Sequence, residues 1–577
     1  MKTLLVTLNS KFTHASLALR CLRTAYPEGT EILECTVNQP RDEILRQILA
    51  RRADVYAFSV YIFNLTLTRQ ILSDLRKVRP EAVILCGGPE VSYGCEEFLR
   101  ANPFVDGILR GEGEETFARV MEFLSQKSDR RASLAECGEA GLSVLHEGVF
   151  RENPDRPPIC DLDTLPFPYE DGEPEELSSR ILYYESGRGC PYTCIYCLSS
   201  VQGRVRFRSV GRVCEDLQKF LDAKVRLVKF VDRTFNCGHG RTLAIWQYLK
   251  DHDNGVTSFH FEIAAWLLSE EEMALLESMR PGQILLEVGV QSTNPKTLEA
   301  ITRKTDPEKL YANVARLSKG PCHVHTDLIA GLPYEDLASF ENSFNRVFSL
   351  ESHCLQLGFL KRLKGTALMH RADGGEFSDT PPYEILKNQW LSPEDLSLLK
   401  GVEKVLEKYW NSGLCRHLLA WWTKKSEEGI FAFFRDFAAR LEGAGEFYLS
   451  HTPPRAFALM ADWLKEALPS EELPTAMALL CYDLFCFDRC HTAAEWQTVL
   501  PQRERLNGLL KSGRVEGLLS AEEAEVYRRM TAVQWLRNAD LAVFPCGPDG
   551  SAGERAYLFL YGKLRIVLPL PSEIFED

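Results

Sequence analysis

At 577 residues the chain is too long for one hydrophobic core and divides into roughly three or four domains. With 45% hydrophobic and 26% charged residues it has a globular composition, and a formal charge of −14 argues against a sequence-independent hold on nucleic-acid phosphates. No uncharged apolar run approaches the roughly 18 residues of a membrane span, and eighteen scattered cysteines without a secretory context point to a reducing cytoplasm.

The opening MKTLLVTLNS reads as a first strand, because Asn9 and Lys11 interrupt its apolar stretch and no small-residue cleavage site follows. Strands are predicted at Thr3–Leu8, Glu31–Glu34, Asp54–Val60, Ala82–Cys86 and Gly107–Leu109. Between them lie helical patterns such as Leu65, Thr68, Ile71, Leu72 and Leu75. This alternation predicts an α/β, doubly wound (Rossmann-like) domain over residues 1–135, with ligands at the carboxyl ends of its strands. Those ends carry Leu8, Asn9 and Ser10, then Ser59 and Val60, Gly87 and Gly88, and Gly111 and Glu112. Small residues there let a bulky ligand approach the backbone, although ordinary turn chemistry would explain any one of them alone.

Residues 136–180 have linker composition, rich in Pro, Asp and Glu. Alternation resumes with strands at Ile181–Glu185, Leu227–Val231, Ser258–Ile263, Ile284–Gly289, Cys322–Ile329 and Cys354–Leu360. Six strand–helix units predict an open (β/α)6 partial barrel over 181–374, its chemistry at the carboxyl-terminal strand ends. The remaining 375–577 are predicted as a mainly α-helical domain. A helix starts at Ser392-Pro393, continues through Leu398, Leu399, Val402, Val405 and Leu406, and stops at Asn411–Gly413. Two closing strands around Gly562-Lys563 make a β-hairpin.

The stretch GRGCPYTCIYC, residues 187–197, follows the first barrel strand and places Cys190, Cys194 and Cys197 at C-x3-C-x2-C spacing. Three thiolates suit a [4Fe–4S] cluster with one iron open for a substrate, whereas structural zinc wants four closed ligands. Tyr196, just before the last cysteine, can pack against a planar ring. Cys481, Cys486 and Cys490 do not converge if their segment is helical, and are better read as buried thiols. The basic run 204–208 reads as a solvated strand edge ahead of a substrate or reductant contact, and Trp421 and Trp422 read as core.

The cysteine loop, with Tyr196 before the last thiol, resembles the radical S-adenosylmethionine (SAM) superfamily. FVDRTFN with Asp232, FEIAAWLL with Glu262, LEVGVQS with Glu287, Gln291 and Ser292, and DLIAGLP with Gly331 resemble its successive SAM-facing strand ends. Arg233 departs from the acidic or polar residue many relatives carry there. LLVTLNS, FSVYIFN, ILCGGPEVS and GILRGEGEETF resemble the cobalamin-binding domain that precedes the cluster domain in one large subgroup. The resemblance spans about residues 1 to 370 and implies Leu8, Asn9, Ser10, Ser59, Val60, Gly87, Gly88, Gly111 and Glu112 as cobalamin contacts. It implies Tyr196, Asp232, Glu262, Glu287, Gln291, Ser292 and Gly331 as SAM contacts. The D-x-H-x-x-G pattern of many cobalamin domains is absent; His14 lacks its flanking Asp and Gly and is discounted as a cobalt ligand.

The implied function is a cobalamin-dependent radical SAM enzyme that cleaves SAM at a [4Fe–4S] cluster and methylates an unactivated carbon of an organic substrate. Flavodoxin or ferredoxin would supply electrons, and no membrane partner is implied. Two alternatives stay open: a radical cyclisation or rearrangement without net methyl transfer, and a cobalamin-responsive binding protein with a vestigial cluster. The early Cys21, Cys35 and Cys86 do not imitate a second cluster motif, which disfavours a sulfur-inserting methylthiotransferase.

Overall fold

The computed structural model describes residues 1–371, 375–489, 493–512, 514, 515, 519, 531–561 and 565–571. Its backbone separates into two compact units, Met1–Ser343 with Leu357–Pro393, and Phe344–Gln356 with Glu394–Asp577. No helix among the described residues is long and apolar enough to cross a membrane.

The first unit holds two sheets. One contains β1 (Thr3–Asn9), β2 (Thr30–Thr36), β3 (Val55–Ser59), β4 (Val83–Gly87), β5 (Gly107–Leu109), β6 (Leu142–His146) and β7 (Val149–Glu152), in spatial order β2-β1-β3-β4-β5-β6-β7. The first five are parallel, as the alternation predicts, and β1 and β3 are buried at every position, as strands covered on both faces must be. Residues 142–152, placed in the linker by composition, instead form β6 and β7, an antiparallel hairpin that extends the sheet from β5. The chain order reverses direction between β1 and β3, the crevice where open α/β sheets bind ligands.

The second sheet is the partial barrel. It consists of β8 (Ile181–Tyr184), β11 (Leu227–Phe230), β12 (Ser258–Ile263), β13 (Ile284–Gln291), β14 (His323–Ala330) and β15 (Cys354–Phe359), in strict sequence order across the sheet. β9 (Gly187–Arg188) and β10 (Arg206–Phe207) form a short antiparallel ribbon after β8. β16 (Glu376–Phe377) and β17 (Ile385–Lys387) make a second small ribbon past β15. The outward faces of the barrel strands are aromatic: Phe261 packs on Phe230, Phe235 and Trp246 beneath the helix His239–Asp251.

Within this unit the Rossmann-like domain grips the barrel by its loops. The loop after β1 covers the open edge of β8, with Ile181 donating to the Thr13 carbonyl at 2.7 Å and Ala15 donating to the Ile181 carbonyl at 3.2 Å. Capping a barrel edge in this way satisfies backbone groups that would otherwise stand exposed.

The second unit is mainly helical. The helix predicted from Ser392 runs Pro393–Leu406 and continues as a π-turn through Glu407–Asn411. Phe433, Phe437 and Trp463 are buried in one aromatic core, and Trp422, only partly buried like Trp421, packs on Phe433 and Trp463 at its edge. Cys481 is fully buried on the helix Leu473–Phe487, as an inert thiol should be, while Cys490 lies outside the described residues. The carboxyl end is three-stranded: β18 (Ala539–Cys546), β19 (Ala552–Leu560) and β20 (Ile566–Leu570). β19 and β20 are the predicted hairpin pair, whose turn at Gly562-Lys563 lies outside the described residues; β18 is an addition to the expectation.

Candidate active site

The ribbon β9/β10 closes the base of the loop that carries the three cysteines. Gly189 has φ +93°, and a Cβ there would lie 2.9 Å from the Arg204 carbonyl, so only glycine lets the two stems approach. All three thiols are free. The Cys197 amide donates to the Cys194 carbonyl at 3.1 Å, turning the chain between the last two. Cys190 Sγ lies 3.6 Å from Thr234 Oγ1, just past β11, and Cys194 Sγ lies 3.8 Å from Arg303 Nη1. Burial pushes the Cys194 thiol up, against the pull of the Arg303 guanidinium. Among the described residues no three His, Cys, Asp or Glu side chains converge as around a single ion.

The barrel lumen is polar, where a closed barrel would be packed with branched apolar side chains. Alternation along the strands puts Lys229 on β11, His260 and Glu262 on β12, Glu287 on β13, and His325 and Asp327 on β14 on the face opposite the aromatic packing. Pairing joins Lys229 to His260, Glu262 to Glu287, and Glu287 to His325. His260 Nε2 stands 3.2 Å from Glu287 Oε2 and holds that carboxyl below its usual range. Burial, with Glu287 and Asp232 adding their charges, lifts Glu262 to about 7, while Arg233, 3.5 Å away, opposes the shift. Burial lifts Asp327 well above its ordinary value, and its Oδ1 has no hydrogen-bond partner.

The residues implied as SAM contacts divide into two groups. Glu262 and Glu287 share the lumen, and Gln291, held at φ +73° beyond a bulge at Gly289, has a buried Oε1 without a partner. Tyr196 has a phenol raised by burial. The others are held by the protein itself. Asp232 accepts from the Ser186 amide (2.9 Å) and hydroxyl (2.6 Å), and Ser292 Oγ donates to buried Glu335 at 2.6 Å. Gly331, at φ +94°, sits where a Cβ would meet Ile385 at 2.8 Å. Arg303 went unpredicted: it donates to the Gly289 carbonyl, lies beside Cys194 and stacks over Trp266. Its segment ITRKT follows the helix Pro295–Ala300, where a basic residue reads as an ordinary helix-end cation.

On the Rossmann-like domain the strand-end residues also divide. Leu8 and Val60 are buried, and Asn9 donates to the His14 carbonyl (2.9 Å) and to Glu34. Ser10 is exposed, and Ser59 is buried beside the Tyr61 phenol. Gly88 has φ +109° and a Cβ there would meet the Val60 carbonyl at 2.5 Å, so its own chain already requires glycine; Gly87 precedes it at the end of β4. Gly111 turns with φ +73° into open space. Glu112 is engaged by Arg188 (3.1 Å) and Arg206 (2.5 Å). The basic run 204–208 is therefore not a solvated edge; Arg206 is ion-paired and Arg208 is buried. His14 Nδ1 is 2.6 Å from Tyr183 Oη, so this histidine faces the barrel.

Glu335 supplies a pH test of this architecture. Burial raises its carboxyl from the ordinary 4.5 to about 7, although Ser292 and Ser343 donate to it and pull the other way. Because folding raises this pKa, the stability it carries is complete below the unfolded value and is lost as pH climbs through 7, by about 3 kcal/mol in all. Glu335→Gln, which keeps the neutral shape, is expected to melt like the parent near pH 5 and at a higher temperature near pH 8. An unchanged pH profile of melting temperature would contradict this.

Comparison with known proteins agrees with this architecture. Residues 3–121 match the B12 binding domain, 184–347 match the radical SAM superfamily, and 374–548 match a protein of unknown function (DUF4080). An uncharacterized methyltransferase of Pyrococcus horikoshii is 26% identical over 304 residues, 52% of this chain and 64% of that protein. The cobalamin-dependent radical SAM methyltransferase TokK of Streptomyces tokunonensis is 25% identical over 316 residues, 52% of this chain and 45% of that protein. The chain thus spans roughly half to two-thirds of the length of these relatives. The solved structure of the cobalamin-dependent SAM radical enzyme OxsB, with aqua-cobalamin and SAM bound, has the same fold, with a TM-score of 0.57 at 14% identity over 91% of this chain and 82% of that one. The chain thus joins a region that matches the B12 binding domain to one that matches the radical SAM superfamily.

Proposed function

We propose that this chain is a cobalamin-dependent radical SAM methyltransferase acting on an unactivated carbon of an organic substrate. The observation that carries the proposal is the placement of three free thiols on one ribbon-closed loop beside a polar lumen, within the unit that also carries the B12-binding domain. When bound, the reduced [4Fe–4S] cluster supplies the electron that cleaves SAM, and cobalamin supplies a methyl group.

Cys190, Cys194 and Cys197 would hold the cluster, with the Arg303 guanidinium offsetting thiolate charge at Cys194. Glu262, Glu287 and Gln291, with Tyr196, would orient SAM; Asp232, Ser292 and Gly331 would support that site through the contacts they already make. The buried Ser59 and the turns at Gly87, Gly88 and Gly111 fit a bulky cobalamin, flanked by Leu8, Asn9, Ser10 and Val60. The residues align the reacting groups and keep water out, which is where positioning lowers the barrier most. A cytoplasmic setting with flavodoxin or ferredoxin as electron donor suits this chemistry.

The test is product analysis of anaerobically reconstituted protein given SAM, hydroxocobalamin and a low-potential reductant. Methyl transfer predicts both 5′-deoxyadenosine and S-adenosylhomocysteine. Formation of 5′-deoxyadenosine alone would overturn the methyltransferase assignment, and formation of neither would overturn the enzyme.

A further inference from the structure

The ribbon at the base of the cysteine loop sets two like charges face to face. Arg188 on β9 pairs directly with Arg206 on β10, and cross-strand cations repel. Their side chains are only 10% and 14% exposed, so water screens them poorly. Arg188 has other counterions, Glu185 at 2.7 Å and Glu114. Arg206 has Glu112 and the Ile159 carbonyl at 2.5 Å. Glu112 touches both arginines and also accepts from the Ile159 amide at 2.9 Å. It comes from the B12-binding domain, at the turn after β5 that Gly111 makes possible.

We propose that Glu112 is a positioning residue that closes the stem of the cysteine loop from the neighbouring domain, so that the loop takes its cluster-holding shape only while the B12-binding domain is docked. This rests on the reading of that loop as the cluster site. It assigns Glu112 to the ribbon and not to the corrinoid. Removing its charge leaves Arg206 a buried cation without a carboxylate beside Arg188; removing Arg206 as well relieves that state. The two effects are therefore non-additive, unlike the loss of an incidental hydrogen bond.

The experiment compares the full-length parent with Glu112→Gln, Arg206→Gln and the double variant. Reconstituted protein is challenged with a ferrous chelator, and hydroxocobalamin uptake is followed by its spectrum. Glu112→Gln is expected to release iron about tenfold faster, with the double variant returning to within about threefold of the parent and corrinoid uptake unchanged in all. Hydrogen exchange on cluster-free protein provides a second readout: amides of 187–207 should exchange faster in Glu112→Gln and recover in the double variant. Parent-like iron release and exchange in Glu112→Gln, a double variant worse than the single, or lost corrinoid uptake with an intact cluster would each overturn the proposal. If the parent takes up no iron, the cluster reading fails by itself, and exchange still decides the role of Glu112.

Discussion

Alanine at any one of Cys190, Cys194 or Cys197 is expected to abolish reductive SAM cleavage and to strip most iron from the reconstituted protein. Each thiolate is one of three on the loop, and the groups the structure sets against two of them, a threonine hydroxyl at Cys190 and a guanidinium at Cys194, do not bind iron as a thiolate does. The loss should exceed the roughly 10–100-fold that follows when a residue merely orienting a ligand is removed. Cys214, half-buried on the helix Val210–Asp222, is the control; Cys214→Ser is expected to match the parent in iron content and 5′-deoxyadenosine formation. Retention of iron and SAM cleavage by any of the three loop variants would show that the thiols have another role.

The largest effect on stability is expected in the carboxyl-terminal unit. Asp483 is buried on the helix Leu473–Phe487 and serves as the cap of a different helix, Arg416–Lys425. Its carboxylate accepts from the His417 and Leu418 amides, both at 3.0 Å, and lies 2.7 Å from His417 Nδ1. Anions at a helix amino terminus satisfy otherwise orphaned donors and complement the helix dipole. Asp483→Ala leaves the buried Leu418 amide and the partly exposed His417 without their acceptor and should destabilise the unit by about 3 kcal/mol. Asp483→Asn keeps one acceptor oxygen and should cost less. Calorimetric melting of the full chain measures both; a loss below about 1 kcal/mol for the alanine variant would show that this cap contributes no more than an exposed one.

What local pattern reveals, and where it stops, is visible in these residues. The eleven strands predicted for the two α/β domains stand within a residue or two of their observed bounds, because the Rossmann-like strands are short apolar runs and the barrel strands alternate buried apolar with lumen-facing residues, each bounded by turns. β6 and β7 escaped because their stretch is embedded in Pro- and acid-rich composition and pairs only through β5. The cysteine spacing is a local pattern and was legible. Arg303, Asp327 and the partners of Glu112 were not, since the first meets Cys194 across 109 positions and the last meets Arg206 across 94. For the same reason Asp232 and Ser292 could be named as polar strand-end residues, while their engagement by Ser186 and Glu335 depends on contacts that no window of sequence contains.

The most direct test of the central claim is iron and sulfide analysis of anaerobically reconstituted full-length protein, with electron paramagnetic resonance of the reduced state before and after addition of SAM. About four irons per chain and a cubane signal that SAM perturbs are expected. A single tetrahedral zinc on the three thiols, or a cluster whose signal SAM leaves untouched, would contradict it.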